Sequence, residues 1–195
     1  MTLNYKDFTL LNAPKEYSIT EKEMILVTEP GSDFWQRTYY GFRNDNAHGI
    51  LTNITEQYYT FTVRAEFEYK TQYDQCGVLI YQDSENWFKS SIEYENESYQ
   101  RLGSVVTNQG YSDWATVDIG CETNNMFYRL SRRESDFLIE SSYDGVTFKQ
   151  MRIFHMVRGT DSIIKMGVYA CSPGNSSFKA RFSQIELSEC LWKLH

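Results

Sequence analysis

Residues 74–97, DQCGVLIYQDSENWFKSSIEYENE, hold the densest set of side chains able to do chemistry. If residues 87–95 form a strand, Trp87, Lys89, Ser91, Glu93 and Glu95 share one face, and Phe88, Ser90, Ile92 and Tyr94 the other. One face is then apolar, and the other combines an indole, an ammonium group and carboxylates. That mixture suits a carbohydrate or another small polar ligand, because an aromatic ring covers the apolar face of a sugar while amides and carboxylates bind its hydroxyls. It suits equally well a solvated strand with cross-strand Lys–Glu pairs worth ~0.2–1 kcal/mol each. Gln75 joins this face if its strand is in phase, and Glu66 joins it if the preceding strand is the next neighbour. Trp35 and Trp114 are expected as further aromatic walls, with Arg37 on the same side of its segment as Trp35. A catalytic alternative uses Glu93 and Glu95, since alternate strand residues have Cα atoms ~6.6 Å apart and retaining glycoside hydrolysis needs carboxyls ~5–5.5 Å apart.

These side chains need a sheet to hold them, and the rest of the chain reads as strands. Residues 63–69 put Val63, Ala65, Phe67 and Tyr69 toward a core, with Arg64, Glu66 and Glu68 opposite. Residues 34–42 read as one alternating run, with Phe34, Gln36, Thr38, Tyr40 and Phe42 on one face and Trp35, Arg37 and Tyr39 on the other. The polar run after it, RNDNAHG, reads as a loop around Gly49. Asp83-Ser84-Glu85-Asn86 supplies turn residues, Asn108-Gln109-Gly110 a loop and Asp144-Gly145 a hairpin turn. Further strands are expected at residues 8–11, 17–20, 24–28, 102–106, 127–132, 136–143, 146–154, 165–171 and 178–187. No segment sustains a helical period. Many short strands separated by evenly spaced turns predict an all-β, two-sheet sandwich of antiparallel strands, with residues 1–195 as one domain.

Composition narrows the function. Aromatic residues are 16% of the chain, including 15 Tyr and 12 Phe, which favour strands. A formal charge of −7 argues against a nucleic-acid backbone or an anionic membrane as partner, since each requires a basic face. The first residues, MTLNYKDFTLLNAPKEY, lack a basic region followed by an apolar run, and no stretch approaches the ~20 apolar residues of a membrane helix, so a cytoplasmic location is expected. Cys76, Cys121, Cys171 and Cys190 are scattered singly and read as free thiols filling strands. His48, His155 and His195 have no second His at a ligand spacing, so no metal site is expected; His48 is read as a surface residue. No nucleophile elbow, dinucleotide fingerprint or P-loop occurs, and no cofactor is expected.

Several ordered motifs carry a resemblance. SDFWQRTYYGF, YDQCGVLIYQDSENWFKSSIEYE, VVTNQGYSDW, RLSRRESDFLIESSYDGVTF and KMGVYACSP look like the "regulation of enolase" family of concanavalin A-like proteins, over about residues 33–187. The resemblance implies a jelly-roll sandwich with one concave sheet, an architecture similar to the C-terminal sandwich of some β-xylosidases, to legume lectins and to laminarinase-type glucanases. It leaves open a sugar-binding module, a hydrolase and a protein-interaction module. The alternating run of Glu93, Glu95 and Glu97 imitates the acidic motif of the glucanases, but all three acids are Glu, and a turn starting at Asn96 puts Glu97 outside the strand.

Overall fold

The computed structural model describes residues 3–161 and 163–193. After a short 3-10 turn at Tyr5–Asp7, the strands in chain order are β1 (Thr9–Leu11), β2 (Tyr17–Ile19), β3 (Glu23–Val27), β4 (Phe34–Gln36), β5 (Arg43–Asp45), β6 (His48–Ile54), β7 (Tyr58–Phe67), β8 (Gln75–Asp83), β9 (Asn86–Tyr94), β10 (Gln100–Asn108), β11 (Tyr111–Ile119), β12 (Asn125–Arg133), β13 (Asp136–Ser142), β14 (Lys149–His155), β15 (Ile164–Cys171) and β16 (Lys179–Ser188).

Two seven-stranded sheets and one small hairpin result. The first sheet runs β1-β6-β15-β8-β9-β10-β11, the second β14-β13-β12-β7-β16-β3-β2, and β4 pairs with β5 alone. All named strand pairs are antiparallel. The architecture is the expected all-β, concanavalin A-like jelly-roll sandwich. Its core lies between the sheets, where alternate residues of both inner faces meet: Val78, Ile80, Phe88 and Ile92 from the first sheet, and Phe61, Val63, Ala65, Tyr128, Leu130 and Phe182 from the second. Alternation with a period of two drives this, because only one side of each strand can leave water.

A second apolar cluster lies on the outer side of the first sheet. Phe34, Ala47, Leu51, Leu79, Trp87, Val105, Tyr169 and Cys171 pack there under the β4–β5 hairpin. The hairpin is fastened at several points. Tyr81 Oη donates to Asp45 Oδ2 (2.8 Å), Ser112 Oγ accepts from the Gln36 amide (3.0 Å), and Arg37 Nη2 reaches Glu85 Oε1 (2.7 Å).

Several local expectations are corrected. Residues 34–42 are not one strand: β4 ends at Gln36, and the chain then turns through left-handed residues Arg37 (φ 55°), Tyr39 (φ 62°) and Gly41 (φ 77°). The RNDNAHG run holds two strand pieces, with Gly49 inside β6 opposite Leu11 and Tyr169. His48 is buried, its Nδ1 2.6 Å from the Asn12 carbonyl and its Nε2 accepting from the Glu29 amide (3.2 Å). Cys76 and Cys171 are buried in strands, whereas Cys121 and Cys190 lie outside them and are half-buried; all four are free thiols. His195 lies outside the described residues. Among the described residues, no helix is long and apolar enough to cross a membrane.

Candidate functional site

The outer face of the first sheet is only partly covered. Beside the hairpin, above β8, β9, β10 and β11, lies a cleft of about 440 Å³. Its floor follows from register. One row across the sheet is Gln75–Glu93–Arg101–Asp118, the next is Tyr169–Gly77–Ser91–Gly103–Thr116, and the third is Leu79–Lys89–Val105–Trp114. The middle row hollows the floor. Gly77, Ser91 and Gly103 put almost no side chain on three adjacent strands, and the Tyr169 ring crosses over Gly77 to place its hydroxyl 2.8 Å from Ser91 Oγ. Gly77 has no freedom to be larger, since a Cβ there would sit 1.9 Å from the Ser90 carbonyl oxygen.

The polar groups of the floor hold one another in place. Lys89 is almost fully buried; its Nζ donates to Gln75 Oε1 (3.0 Å), lies 3.7 Å from Asp33 Oδ1, and sits 6.0 and 5.8 Å from the Trp87 and Tyr169 ring centres. Such contacts offset the hydration that a buried ammonium gives up. Gln75 in turn donates from Nε2 to Glu93 Oε2 (2.7 Å) and to the Tyr73 carbonyl (3.1 Å), which sets its amide orientation. Burial pushes the Glu93 carboxyl up to about 7; Lys89 and Arg101 pull it down, and the nearby charges of Asp33 and Glu95 push it further up.

The walls are aromatic. Trp35, Tyr40 and Phe42 from the hairpin side face Trp114 from β11, with Tyr73, Pro173 and Gly174 closing one end. Trp35 meets Trp114 edge-on at 6.3 Å and Tyr40 at 5.4 Å. The Arg101 guanidinium carbon lies 5.5 Å from the Trp114 ring centre, and Arg101 Nη1 is bound to Glu95 Oε1 at 2.6 Å. A shallow apolar box over a few convergent polar groups is the common form of a small-molecule site.

The residues expected from sequence divide. Trp35, Gln75, Lys89, Glu93 and Trp114 line one cleft. Trp87 points to the same side but is wholly buried beneath the hairpin, 5.5 Å from the Phe34 ring, so it supports the floor and does not line the cleft. Glu66 is on the wrong sheet: β7 pairs with β12 and β16, and Glu66 faces outward there beside Arg64 and Arg181. The chain crosses from one sheet to the other after β7, so sequence adjacency to β8 did not make the two strands neighbours. Arg37 lies outside the cleft lining and clamps the hairpin, donating to the Gly110 carbonyl (2.9 Å) and Glu85. Glu95 falls after β9 ends at Tyr94 and is bound by Arg101 and Gln72 Nε2 (3.1 Å), so the alternative catalytic pair Glu93 and Glu95 does not face the cleft together.

Asp33, Tyr40, Phe42, Asn44, Tyr73 and Arg101 were missed. Arg101 carried a signal, since extending its strand by one residue sets it opposite Glu93. Tyr40 and Phe42 carried none, because the left-handed residues before them break the alternation that assigned them to the Phe34 side. Among the described residues, no cluster of three or more His, Cys, Asp or Glu side chains could hold a metal ion.

Known proteins share this architecture. The Saccharomyces cerevisiae (strain ATCC 204508 / S288c) protein "Regulation of enolase protein 1" is 31% identical over 185 residues, spanning 95% of this chain and 91% of that one. A crystal structure of a functionally unknown protein from Saccharomyces cerevisiae superposes with a TM-score of 0.89 at 29% identity, over 97% of this chain and 100% of the other. The GH43 protein BlXynB from Bacillus licheniformis contains a sandwich of the same fold, with a TM-score of 0.73 at 16% identity; 96% of this chain matches 37% of that longer one. Residues 10–190 match the family described as "Protein of unknown function (DUF1349)", and the chain belongs to that family.

Proposed function

We propose that the protein binds a carbohydrate in the cleft on the outer face of its first sheet. One observation carries this reading: aromatic walls from Trp35, Tyr40, Phe42 and Trp114 stand over a floor of preset hydrogen-bonding groups, Gln75, Lys89, Ser91, Glu93 and Asp33. A sugar ring has an apolar C–H face for an aromatic wall and hydroxyls that both donate and accept. The floor offers both kinds of partner, and its charges offset one another, which suits a neutral ligand better than an anion. The reading is tested by glycan-array screening followed by calorimetry on the hits. Trp35→Ala is expected to weaken binding at least tenfold with the fold intact. An array without hits, or Trp35→Ala with wild-type affinity, sinks it.

A second reading is supported by Glu93 alone. A carboxyl raised to about 7 by burial, inside a cleft, has the proton affinity of a general acid in glycoside hydrolysis. Asp33, 3.7 Å from Lys89 Nζ, is a second carboxylate lining the cleft. Turnover of aryl glycosides that Glu93→Gln abolishes would support a hydrolase; no turnover, or turnover unchanged in that variant, leaves the binding module.

A further inference from the structure

We infer that the ligand of the cleft is an oligosaccharide, and that residues 37–42 form a rigid aromatic platform carrying the sugar units that extend beyond it. The inference rests on the carbohydrate reading above and adds the length of the ligand and the path it takes.

The first observation is a continuous run of rings leading from the cleft wall into solvent. Trp114 meets Trp35 (6.3 Å between ring centres), Trp35 meets Tyr40 (5.4 Å), and Tyr40 meets both Tyr39 (5.0 Å) and Phe42 (5.5 Å, nearly parallel). Exposure rises outward, to 45% for Phe42, 53% for Tyr40 and 94% for Tyr39. Scattered exposed apolar residues need no explanation, but a contiguous ledge joined to a cleft does.

The second observation is the backbone beneath it. Arg37 and Tyr39 both adopt left-handed conformations, which bulky residues rarely take. Such strain persists where surrounding contacts over-determine it, and it gathers at ligand clamps. Here the contacts are explicit. The Arg37 amide donates to the Phe42 carbonyl (2.8 Å), the Gly41 amide to the Arg37 carbonyl (2.6 Å), and the Arg37 side chain is held by Glu85 and the Gly110 carbonyl. Trp35 Nε1 donates to the Thr38 carbonyl (3.0 Å), tying the cleft wall to the same loop. These contacts set the course of the loop backbone, and the Tyr39 ring, edge-on to Tyr40, stands in solvent. A pyranose stacks on such a ring through its C–H face, while the phenol hydroxyl reaches a ring substituent. An oligosaccharide seated in the cleft and leaving over Tyr40 and Tyr39 uses every ring in the run.

The experiment is calorimetric titration with xylo-, cello-, laminari- and manno-oligosaccharide ladders, from monosaccharide to hexasaccharide, on wild type, Tyr39→Ala and Trp35→Ala. For at least one ladder, wild-type affinity is expected to rise tenfold or more with length. Tyr39→Ala is expected to flatten that rise while keeping the melting temperature and the affinity for the shortest bound sugar. Affinity independent of length, or Tyr39→Ala tracking wild type at every length, overturns the platform while leaving the cleft reading in place. Absence of binding across all ladders, at every length, overturns both.

Discussion

Replacing Glu93 by Gln tests the electrostatics of the cleft through stability. Burial raises the folded-state value from 4.5 to about 7, whereas the unfolded chain retains the lower value. Between these two values the folded protein holds a proton that the unfolded chain has released, so stability falls as pH rises across that window. The destabilisation is absent below about 4.5 and complete above about 7. At about 1.4 kcal/mol per tenfold change in proton affinity, it amounts to ~3 kcal/mol, and less where water reaches the carboxyl. The amide introduced by Glu93→Gln keeps the shape and can still accept from Gln75, but carries no charge to desolvate. Urea denaturation of both proteins at about pH 4 and about pH 8.5 is the assay, with Glu93→Gln expected to match wild type at the lower pH and exceed it by ~1–3 kcal/mol at the higher. A difference that does not change with pH, or a variant less stable at high pH, would refute the reasoning. It would mean that Lys89 and Arg101 hold Glu93 ionised at its usual value.

Trp87→Ala removes a fully buried indole from beneath the hairpin and is expected to cost ~3–5 kcal/mol in chemical denaturation; a loss under ~1 kcal/mol would show that the hairpin does not depend on it. Gly77→Ala forces a methyl group onto the Ser90 carbonyl, so soluble expression or cooperative unfolding is expected to be lost, and a variant as stable as wild type would contradict the observed strand approach. Burial pushes the Cys76 thiol up to about 12 and Cys171 well above its usual range. Mass spectrometry after native alkylation at about pH 8 should therefore find Cys121 and Cys190 labelled and the other two intact; labelling of Cys76 or Cys171 at a comparable rate would count against a closed core.

Much of this was legible in the sequence because it is local. Strand alternation is set by backbone geometry within a few residues, so Trp87, Lys89, Ser91 and Glu93 were placed on one face by their spacing. A tight polar turn through Ser84 and Glu85 joins β8 to β9, which made them neighbours and put Gln75 beside Glu93. Aromatic content with regular turns implied the all-β sandwich. Which sheet a strand joins is not local. β7 and β8 follow each other in the chain but lie in different sheets, and this alone removed Glu66 from the site. Nor does alternation say what covers a face. The β4–β5 hairpin lies over Trp87 and buries it, while Lys89 and Glu93, further along the same strand, stay at the cleft. Left-handed turns at Arg37 and Tyr39 reverse the side taken by Tyr40 and Phe42, and nothing in those residue types announces a positive φ. The side a residue faces was therefore a property of the strand, and whether that side meets water, a hairpin or a cleft was decided by packing between segments far apart in the chain.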